Sequence, residues 1–215
     1  MKSLIILGAG GHGKVVAETA LISKKFKNIS FIDDKFDNKN SFSFQGIDLI
    51  GKLNYVETFL CRKSFECATV AFGDSNLRLD WIRKLNNYGY EMPPIIHPSA
   101  CISPSCNIQK GTVVFAQAAI QSDVIIGVGN IINTGSSVDH DCILDEGVHI
   151  CPGARIAGDV KIGSKTTIGI GSSVNRGIRI GRNVIVGAGA AVVKNVNDNL
   201  IAKGVPAKVK INSNK

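Results

Sequence analysis

The chain has 215 residues, of which 44% are hydrophobic and 20% charged, enough apolar material for one large domain or two small ones. It contains no apolar run of the roughly 18 residues that a membrane span needs, and the segment after Met1 lacks the features of a secretory signal, so we expect a cytoplasmic protein with no membrane insertion. Six scattered cysteines form no CxxC pair, which argues against a metal site and against a disulfide scaffold.

The first 95 residues alternate short apolar strands with helices. The sequence predicts strands at 3–7, 29–32 and 67–71, and helices at 14–23, 54–62 and 77–87. This βαβαβ order is typical of half of a doubly wound sheet. We therefore expect a Rossmann-like α/β domain at 1–95 and a second domain at 96–215.

A glycine-rich turn follows the first predicted strand. It satisfies G-x-G-x-x-G from Gly8 onward, and two acids end the second strand, about 20 residues later, where an acid contacts the ribose of a bound nucleotide. The candidate nucleotide-binding residues are Gly10, Gly11, His12, Gly13, Asp33 and Asp34. Alone, the pattern favours NAD, but a dinucleotide needs two such halves, so the nucleoside diphosphate of an activated sugar fits this fold better, with its phosphates at the helix start. The alternative is a turn that only packs helix on strand.

A six-residue repeat begins at Ile96. Stepping by six meets an aliphatic side chain at all seventeen positions up to Val192, and four residues after each comes a mostly small one, with Asn130 as the exception. Three hexads per coil predict a triangular, left-handed parallel β-helix in which residues eighteen apart lie above one another, about 4.8 Å apart. A β-sandwich or a right-handed β-helix predicts no such period.

Charge is distributed unevenly along this second domain. Residues 96–159 have a balance of −4, whereas 160–215 have ten Lys or Arg residues against the single acid Asp198, a balance of +9. A basic end is compatible with a solvated surface or with a polyanionic ligand. Nucleic acid is disfavoured because the segment lacks the interleaved aromatic residues of a stacking platform.

Five segments together resemble one known family. They are GAGGHGKVV at 8–16, IDD at 32–34, AFGDSNLR at 71–78, SSVDHDC at 136–142 and GVPAK at 204–208. The family is that of the bacterial sugar acetyltransferases of the hexapeptide-repeat class, which includes the UDP-4-amino-sugar N-acetyltransferases of bacillosamine synthesis and the sialic acid O-acetyltransferases. The resemblance covers essentially the whole chain. It implies acetyl-CoA as cosubstrate, a nucleotide sugar as acceptor and a homotrimer with active sites between neighbouring β-helices.

The resemblance identifies His140 as the general base, a role that suits imidazole because it titrates near neutral pH. Asp139 and Asp141 flank it, and the sequence leaves open which of the two orients the ring. Asn133 and His149 match other positions that the family uses. His149 is expected on a different face from His140, near the thioester or pantetheine at a trimer interface, with an ordinary surface histidine as the alternative.

Gly158 is one eighteen-residue coil above His140. Its N–H is a candidate oxyanion donor, and a glycine needed only for a coil corner is the alternative. The resemblance also implies substrate contacts from Gly73 and Arg78. It implies coenzyme A contacts from His149, Gly158, Lys165, Gly171, Gly189, Gly204 and Lys208.

The resulting hypothesis is transfer of an acetyl group from acetyl-CoA to the 4-amino group of a UDP-4-amino-4,6-dideoxy sugar. O-acetylation of a sialic acid is the alternative within the family, and an NAD-binding oxidoreductase or sensor is the alternative from another functional class.

Overall fold

A computed structural model describes residues 1–37 and 42–211. They fall into two compact units, Met1–Pro98 and Ser99–Lys215. Residues 212–215, at the end of the second predicted domain, lie outside the described residues. Over the described ranges, no helix has the length and apolar character that crossing a membrane requires.

The first unit is a mixed α/β sheet with three helices. Its elements are β1 (Lys2–Leu7), α1 (Gly11–Ser23), β2 (Phe26–Ile32), β3 (Ser43–Phe44), β4 (Ile47–Gly51), a 3-10 helix (Leu53–Glu57), α2 (Phe59–Ser64), β5 (Cys67–Val70), α3 (Ser75–Asn87) and β6 (Ile95–Ile96). The strand order in the sheet is β3-β4-β2-β1-β5, and all neighbours are parallel except β3 and β4. β1 lies between β2 and β5, and its four residues from Leu4 to Leu7 are fully buried, which explains their unbroken apolar run.

Two features of this unit differ from the sequence prediction. The helix predicted at 54–62 is divided at Thr58, whose hydroxyl accepts a hydrogen bond from the N–H of Cys61 and so begins a new helix. The hairpin of β3 and β4 was not predicted. Its turn has Gln45 and Gly46 at positive φ (50° and 77°), a conformation that two-residue hairpins favour.

The second unit is a parallel β-helix of two-residue strands, and its eighteen-residue coils are those of the left-handed class. Its strands are β7 (Cys101–Ile102), β8 (Asn107–Ile108), β9 (Val113–Val114), β10 (Ala119–Ile120), β11 (Ile125–Ile126), β12 (Ile131–Ile132), β13 (Ser137–Val138), β14 (Ile143–Leu144), β15 (His149–Ile150), β16 (Arg155–Ile156), β17 (Lys161–Ile162), β18 (Thr167–Ile168), β19 (Ser173–Val174), β20 (Arg179–Ile180), β21 (Ile185–Val186) and β22 (Ala191–Val192), followed by a hairpin of β23 (Leu200–Lys203) and β24 (Lys208–Ile211). The predicted aliphatic residue ends each two-residue strand, and from Val114 to Val192 all of these side chains are buried.

The strands stack with the predicted eighteen-residue register. Face A contains β7, β10, β13, β16, β19 and β22; face B contains β8, β11, β14, β17 and β20; and face C runs from β9 through β12, β15, β18 and β21 to the hairpin. Ser137, for example, pairs with Ala119 below and with Arg155 above. The three faces meet at corners, so a site residue on a corner stands above and below its own counterparts in the neighbouring coils.

Asn130, the exception in the small-residue series, has a structural role inside the β-helix. Its side chain is fully buried, and Oδ1 accepts a hydrogen bond from the N–H of Val148, eighteen residues later. Thr112 and Thr166, one coil below and two coils above Asn130, accept the N–H of the residue eighteen positions on in the same way. A polar residue at this inner position therefore links two coils.

Candidate active site

His140 lies on the corner between faces A and B, in the turn that joins β13 to β14. Its Nδ1 is 2.7 Å from Oδ2 of Asp141, and the two side chains are 46% and 61% exposed. A carboxylate only accepts hydrogen bonds, so Nδ1 carries the proton and donates it to Asp141. In the neutral ring this leaves Nε2 available to accept a proton from a reacting group.

The two flanking carboxylates have different partners. Asp141 has a positive φ of 60°, as do Asp123 and Asp159 at the same corner of the coils below and above (60° and 58°), a conformation that Asp tolerates better than most residues. Asp139 instead accepts a hydrogen bond from the backbone N–H of His140 at 3.0 Å. In this structure Asp141 is the residue that contacts the ring, and Asp139 stabilises the turn.

The ring of His140 packs against Gly158, one coil above it. A Cβ built on Gly158 would lie 2.6 Å from both Cε1 and Nε2 of the imidazole, so only glycine leaves the ring where it is. The N–H groups at the same corner one coil below and one coil above, those of His140 and Arg176, each donate to the side chain of the preceding residue, Asp139 or Asn175. Ala157 precedes Gly158, and its methyl side chain has no acceptor. No described residue accepts a hydrogen bond from the N–H of Gly158.

A groove of about 520 Å³ runs along face A beside this corner. Residues from five successive coils line it, among them Ser137, Asp139, Arg155, Ala157, Ser173 and Asn175. Its walls thus include Asp139, Ala157 and Asn175, the residues that immediately precede His140, Gly158 and Arg176.

Asn133 and His149 form a pair on face C, away from the corner that holds His140. The amide Nδ2 of Asn133 is 3.1 Å from Nε2 of His149, which accepts the hydrogen bond because an amide nitrogen only donates. Oδ1 of Asn133 accepts the N–H of Thr134. Within one chain, these two residues and His140 are therefore on different sides of the β-helix.

The other predicted coenzyme A residues occupy corners and the terminal hairpin. Gly171 and Gly189 have φ of 63° and 65°, which gives each glycine a structural reason to be there. Lys165 has a φ of 61° at a corner where the three preceding coils have Gly111, Gly129 and Gly147. Gly204 and Lys208 lie in the connection between β23 and β24 and at the start of β24. Contact of these residues with coenzyme A stays a prediction.

In the first unit, the glycine-rich turn connects β1 to α1 at the carboxyl end of the sheet. Helix α1 begins at Gly11, and no side chain caps its first turn. A Cβ built on Gly10 or Gly11 would meet no atom within 4 Å, whereas one on Gly13 would lie 2.0 Å from the carbonyl oxygen of Gly8. Gly13 is thus required for packing, and the space in front of Gly10 and Gly11 is open.

The two acids at the end of β2 support this turn. Oδ2 of Asp33 accepts the N–H of Ala9 at 2.8 Å and Oδ1 accepts that of Lys35, while Asp34 accepts the N–H of Leu53. These hydrogen bonds hold the chain segments around the carboxyl end of the sheet, where a nucleotide was predicted to bind. The sequence pattern gave their position at the strand end, and the structure adds that Asp33 orients the glycine-rich turn.

His12 and Arg78 are buried or half-buried near this edge. Burial lowers the pKa of His12 to about 4, with the charge of Arg78 as the second cause. The guanidinium of Arg78 is 1% exposed and donates hydrogen bonds to the carbonyl oxygens of Phe72 and Gly73. Gly73 itself is exposed, on the turn after β5.

Two features of the site were not predicted from the sequence. One is that Ala157 leaves the Gly158 N–H without an acceptor, although a residue with no acceptor side chain where the neighbouring coils have Asp139 and Asn175 was a usable signal. The other is that Asp141, and not Asp139, contacts the ring, which depends on the positive φ of Asp141. Cys142, directly after this pair, is an interior residue whose pKa burial raises to about 11.

Comparisons with known proteins agree with this architecture. Residues 3–85 match the model of the PglD N-terminal domain. UDP-N-acetylbacillosamine N-acetyltransferase from Bacillus subtilis (strain 168) is 36% identical over 122 residues, which are 54% of this chain and 52% of that protein, so the matched part spans about half the length of this curated relative.

Solved structures match over nearly the whole chain. The acetyltransferase domain of PglB from Neisseria gonorrhoeae FA1090, solved in complex with acetyl coenzyme A, has 38% identity and a TM-score of 0.91, covering 96% of this chain and 98% of that one. PerB from Caulobacter crescentus, solved with CoA and GDP-perosamine, has 36% identity and a TM-score of 0.88, covering 98% of each chain. The chain therefore belongs to the family of PglD-type sugar N-acetyltransferases with hexapeptide repeats.

Proposed function

We propose that this protein transfers the acetyl group of acetyl-CoA to the 4-amino group of a UDP-linked 4-amino-4,6-dideoxy sugar, with His140 as the general base. The observation that carries the proposal is the His140 corner: an imidazole oriented by Asp141, with its free Nε2 beside a glycine whose N–H is open. Relatives of this family supply the substrate class, since the Bacillus subtilis protein is named for a UDP-amino sugar and the Neisseria gonorrhoeae structure contains acetyl coenzyme A.

The chemistry follows from this arrangement. The amine nitrogen attacks the thioester carbonyl carbon, and Nε2 of His140 accepts the proton that the nitrogen loses. The tetrahedral intermediate then collapses, the C–S bond breaks, and the imidazolium returns a proton to the leaving thiolate. The bond from Nδ1 to Asp141 holds the tautomer and stabilises the transient imidazolium.

The Gly158 N–H is assigned to the developing oxyanion. An oxyanion donor is useful only when it is not already engaged, and the corner at Gly158 meets this condition because Ala157 cannot cap it. The groove along face A is lined by Ala157, Ser173 and Asn175 on the same side, so it can accommodate the pantetheine arm next to this N–H. The basic residues of 160–215 are then available to the phosphates of coenzyme A.

The nucleotide is assigned to the first unit. Backbone N–H groups at the start of α1 have no side-chain cap, the helix dipole favours an anion there, and Gly10 and Gly11 leave room for one. We assign uridine because of the UDP-sugar relative, while the GDP-perosamine complex of PerB makes a guanosine nucleotide the comparison to test.

A trimer completes the proposed site. His140 and the Asn133–His149 pair are on different faces of one β-helix, so a substrate can contact both only if they come from neighbouring copies. Mixing inactive His140→Ala chains with His149→Ala chains before assembly should then restore part of the activity. Failure to recover any activity from mixed assemblies would contradict a shared site.

The direct test follows free thiol release from acetyl-CoA in the presence of the UDP-4-amino sugar. The His140→Ala variant should be slower by about 10³-fold, within the range for removing a general base. A Ser122→Ala variant, at the same corner one coil below, serves as the matched control and should retain wild-type activity. Wild-type thiol release equal to that of His140→Ala would rule out the proposed mechanism, and release only with sialic acid or with a GDP-amino sugar would replace the acceptor.

A further inference from the structure

The turn after β5 lies at the topological switch point of the first unit. The strand order β4-β2-β1-β5 places β2 on one side of β1 and β5 on the other, and open α/β sheets bind ligands at the carboxyl ends of such a pair of strands. The glycine-rich turn follows β1, and residues 71–74 follow β5. The two turns touch, because a Cβ on Gly8 would lie 2.9 Å from the ring of Phe72 and 3.0 Å from the carbonyl oxygen of Ala71.

Arg78 has the largest fully buried side chain among residues 1–37 and 42–211 and lies under this turn. Its Nη1 donates to the carbonyl oxygens of Phe72 at 2.8 Å and Gly73 at 2.9 Å, and Nη2 donates to Oγ of Ser75 at 3.4 Å. Burial lowers the pKa of the guanidinium to about 10, so it remains charged at neutral pH. At 1% exposure, it is covered by the turn and does not reach a ligand itself.

The two hydrogen bonds fix the direction of two successive peptide planes. In a trans peptide the C=O and N–H groups point in opposite directions. With the carbonyls of Phe72 and Gly73 turned inward to Arg78, the N–H groups of Gly73 and Asp74 point away from it. Both residues are exposed, and within the described residues neither N–H donates to a protein acceptor.

We propose that Arg78 is a positioning residue: it holds the turn after β5 so that the N–H groups of Gly73 and Asp74 bind one phosphate of the substrate's diphosphate, while the start of α1 binds the other. This role rests on the proposed function, which supplies the nucleoside diphosphate. A buried cation is costly and is better replaced by an apolar residue where only packing is needed. Arginine is suited to the task because Nη1 has two N–H groups that can donate to the two adjacent carbonyls, while Nη2 remains available to Ser75.

The test compares nucleotides with one and two phosphates on the full-length protein. Calorimetric Kd values are measured for UDP and UMP, and for GDP and GMP, with wild type, Arg78→Met and Arg78→Lys. A hydrogen-bonded phosphate should make the wild type prefer the diphosphate by about tenfold or more. In Arg78→Met this preference should fall toward one, and Arg78→Lys should keep part of it. Arg83→Met, on the exposed side of the same helix, is the control.

Steady-state kinetics provide a second readout. The KM for the nucleotide sugar should rise in Arg78→Met, while the KM for acetyl-CoA and kcat stay near wild type. Loss of a merely structural residue would lower the affinity for mono- and diphosphates alike and would reduce kcat through loss of folded protein.

A pair of variants at Asp74 tests the N–H directly and leaves Arg78 in place. Asp74→Pro and Asp74→Ala both remove the carboxylate that caps α3, but only proline removes the N–H, and the φ of −65° at this residue is one that proline adopts. The diphosphate preference should be lost in Asp74→Pro and kept in Asp74→Ala. This pair decides the matter if Arg78→Met does not fold.

The outcomes separate the two proposals. If wild type binds nucleotides and all variants keep its diphosphate preference, the role of Arg78 is refuted and the proposed function stands. If wild type binds neither UDP nor GDP, the proposed function fails and the role of Arg78 fails with it.

Discussion

The β-helix and the α/β unit present their candidate site residues in different ways. In the central coils of the β-helix, corner residues have counterparts eighteen positions away in the same conformation, so a departure from the local pattern is visible: Ala157 stands where the neighbouring coils have Asp139 and Asn175. The α/β unit has no internal copies. Its candidate site depends on contacts between distant segments, such as Asp33 with Ala9. In the repeat, the neighbouring coils thus show what a corner residue does where there is no candidate site. In the α/β unit, the role of a residue has to be inferred from its contacts with distant segments.

The largest effect is expected for Gly158→Ala in the β-helix. The same corner carries His140 and Arg176 in neighbouring coils, so its backbone accepts side chains, and we expect little change in stability. The new Cβ would lie 2.6 Å from Nε2 of His140, so the ring must move, and kcat should fall by about 10³-fold. Thermal unfolding and thiol release measured on the same sample check both points. If the folded variant kept the wild-type kcat, catalysis would not depend on the observed position of the His140 ring.

In the α/β unit, the corresponding test is the pH dependence of stability at His12. The pKa of about 4 is below the value of 6.5 expected in the unfolded chain, so between these pH values the unfolded state binds more protons and folding weakens as pH falls. His12→Gln removes this contribution, which amounts to up to about 3 kcal/mol at pH 4. Urea unfolding followed by Trp81, the single tryptophan of the chain, reports on this unit. A constant difference between wild type and His12→Gln from pH 7.5 to pH 4 would contradict a buried neutral imidazole.

A substitution at Ala157 can give the Gly158 N–H the acceptor that the equivalent N–H groups have in the neighbouring coils. In Ala157→Asn, the new side chain should accept the Gly158 N–H as Asn175 accepts that of Arg176. The oxyanion donor is then occupied, and kcat should fall by about 10²-fold, the lower end for loss of one such donor. Ala157→Leu, of similar size and without an acceptor, is the matched control for crowding of the groove. Equal losses in the two variants would show that bulk, and not the hydrogen bond, is responsible.

The fold of the β-helix was predicted from the sequence more completely than the fold of the α/β unit. Seventeen aliphatic residues at a fixed spacing predict the β-helix and its register, because each hexad makes the same local structure; this fold and the family are confirmed. The glycine pattern predicts the turn after β1. The hairpin at Ser43–Phe44 and Ile47–Gly51 was missed because it is held by pairing with the distant β2. The contact of Asp141 with His140 was not predictable either, since it depends on a left-handed backbone conformation that the motif does not specify.

The smallest effect concerns Asn130, where one coil again provides the reference for another. Oδ1 accepts the N–H of Val148, but Nδ2 is buried without a hydrogen-bond partner in the described structure. Thr112 and Thr166, in the same column, accept the equivalent N–H and donate their own proton to a carbonyl fifteen residues later. Asn130→Thr should therefore satisfy every group and stabilise the β-helix by about 1 kcal/mol, the lower end of the cost of an unsatisfied polar group.

Asn130→Val is the control for this substitution, because it removes the unsatisfied amide together with the acceptor of the Val148 N–H. The stability gained by removing the unsatisfied amide and the stability lost by leaving the Val148 N–H without an acceptor come from buried groups of similar cost. We therefore expect Asn130→Val to be less stable than Asn130→Thr by about 1 kcal/mol. Urea unfolding followed by far-ultraviolet circular dichroism measures all three proteins. If threonine proved no better than valine at this position, the link between coils would contribute nothing to stability, and the polar residues of this column would need another explanation.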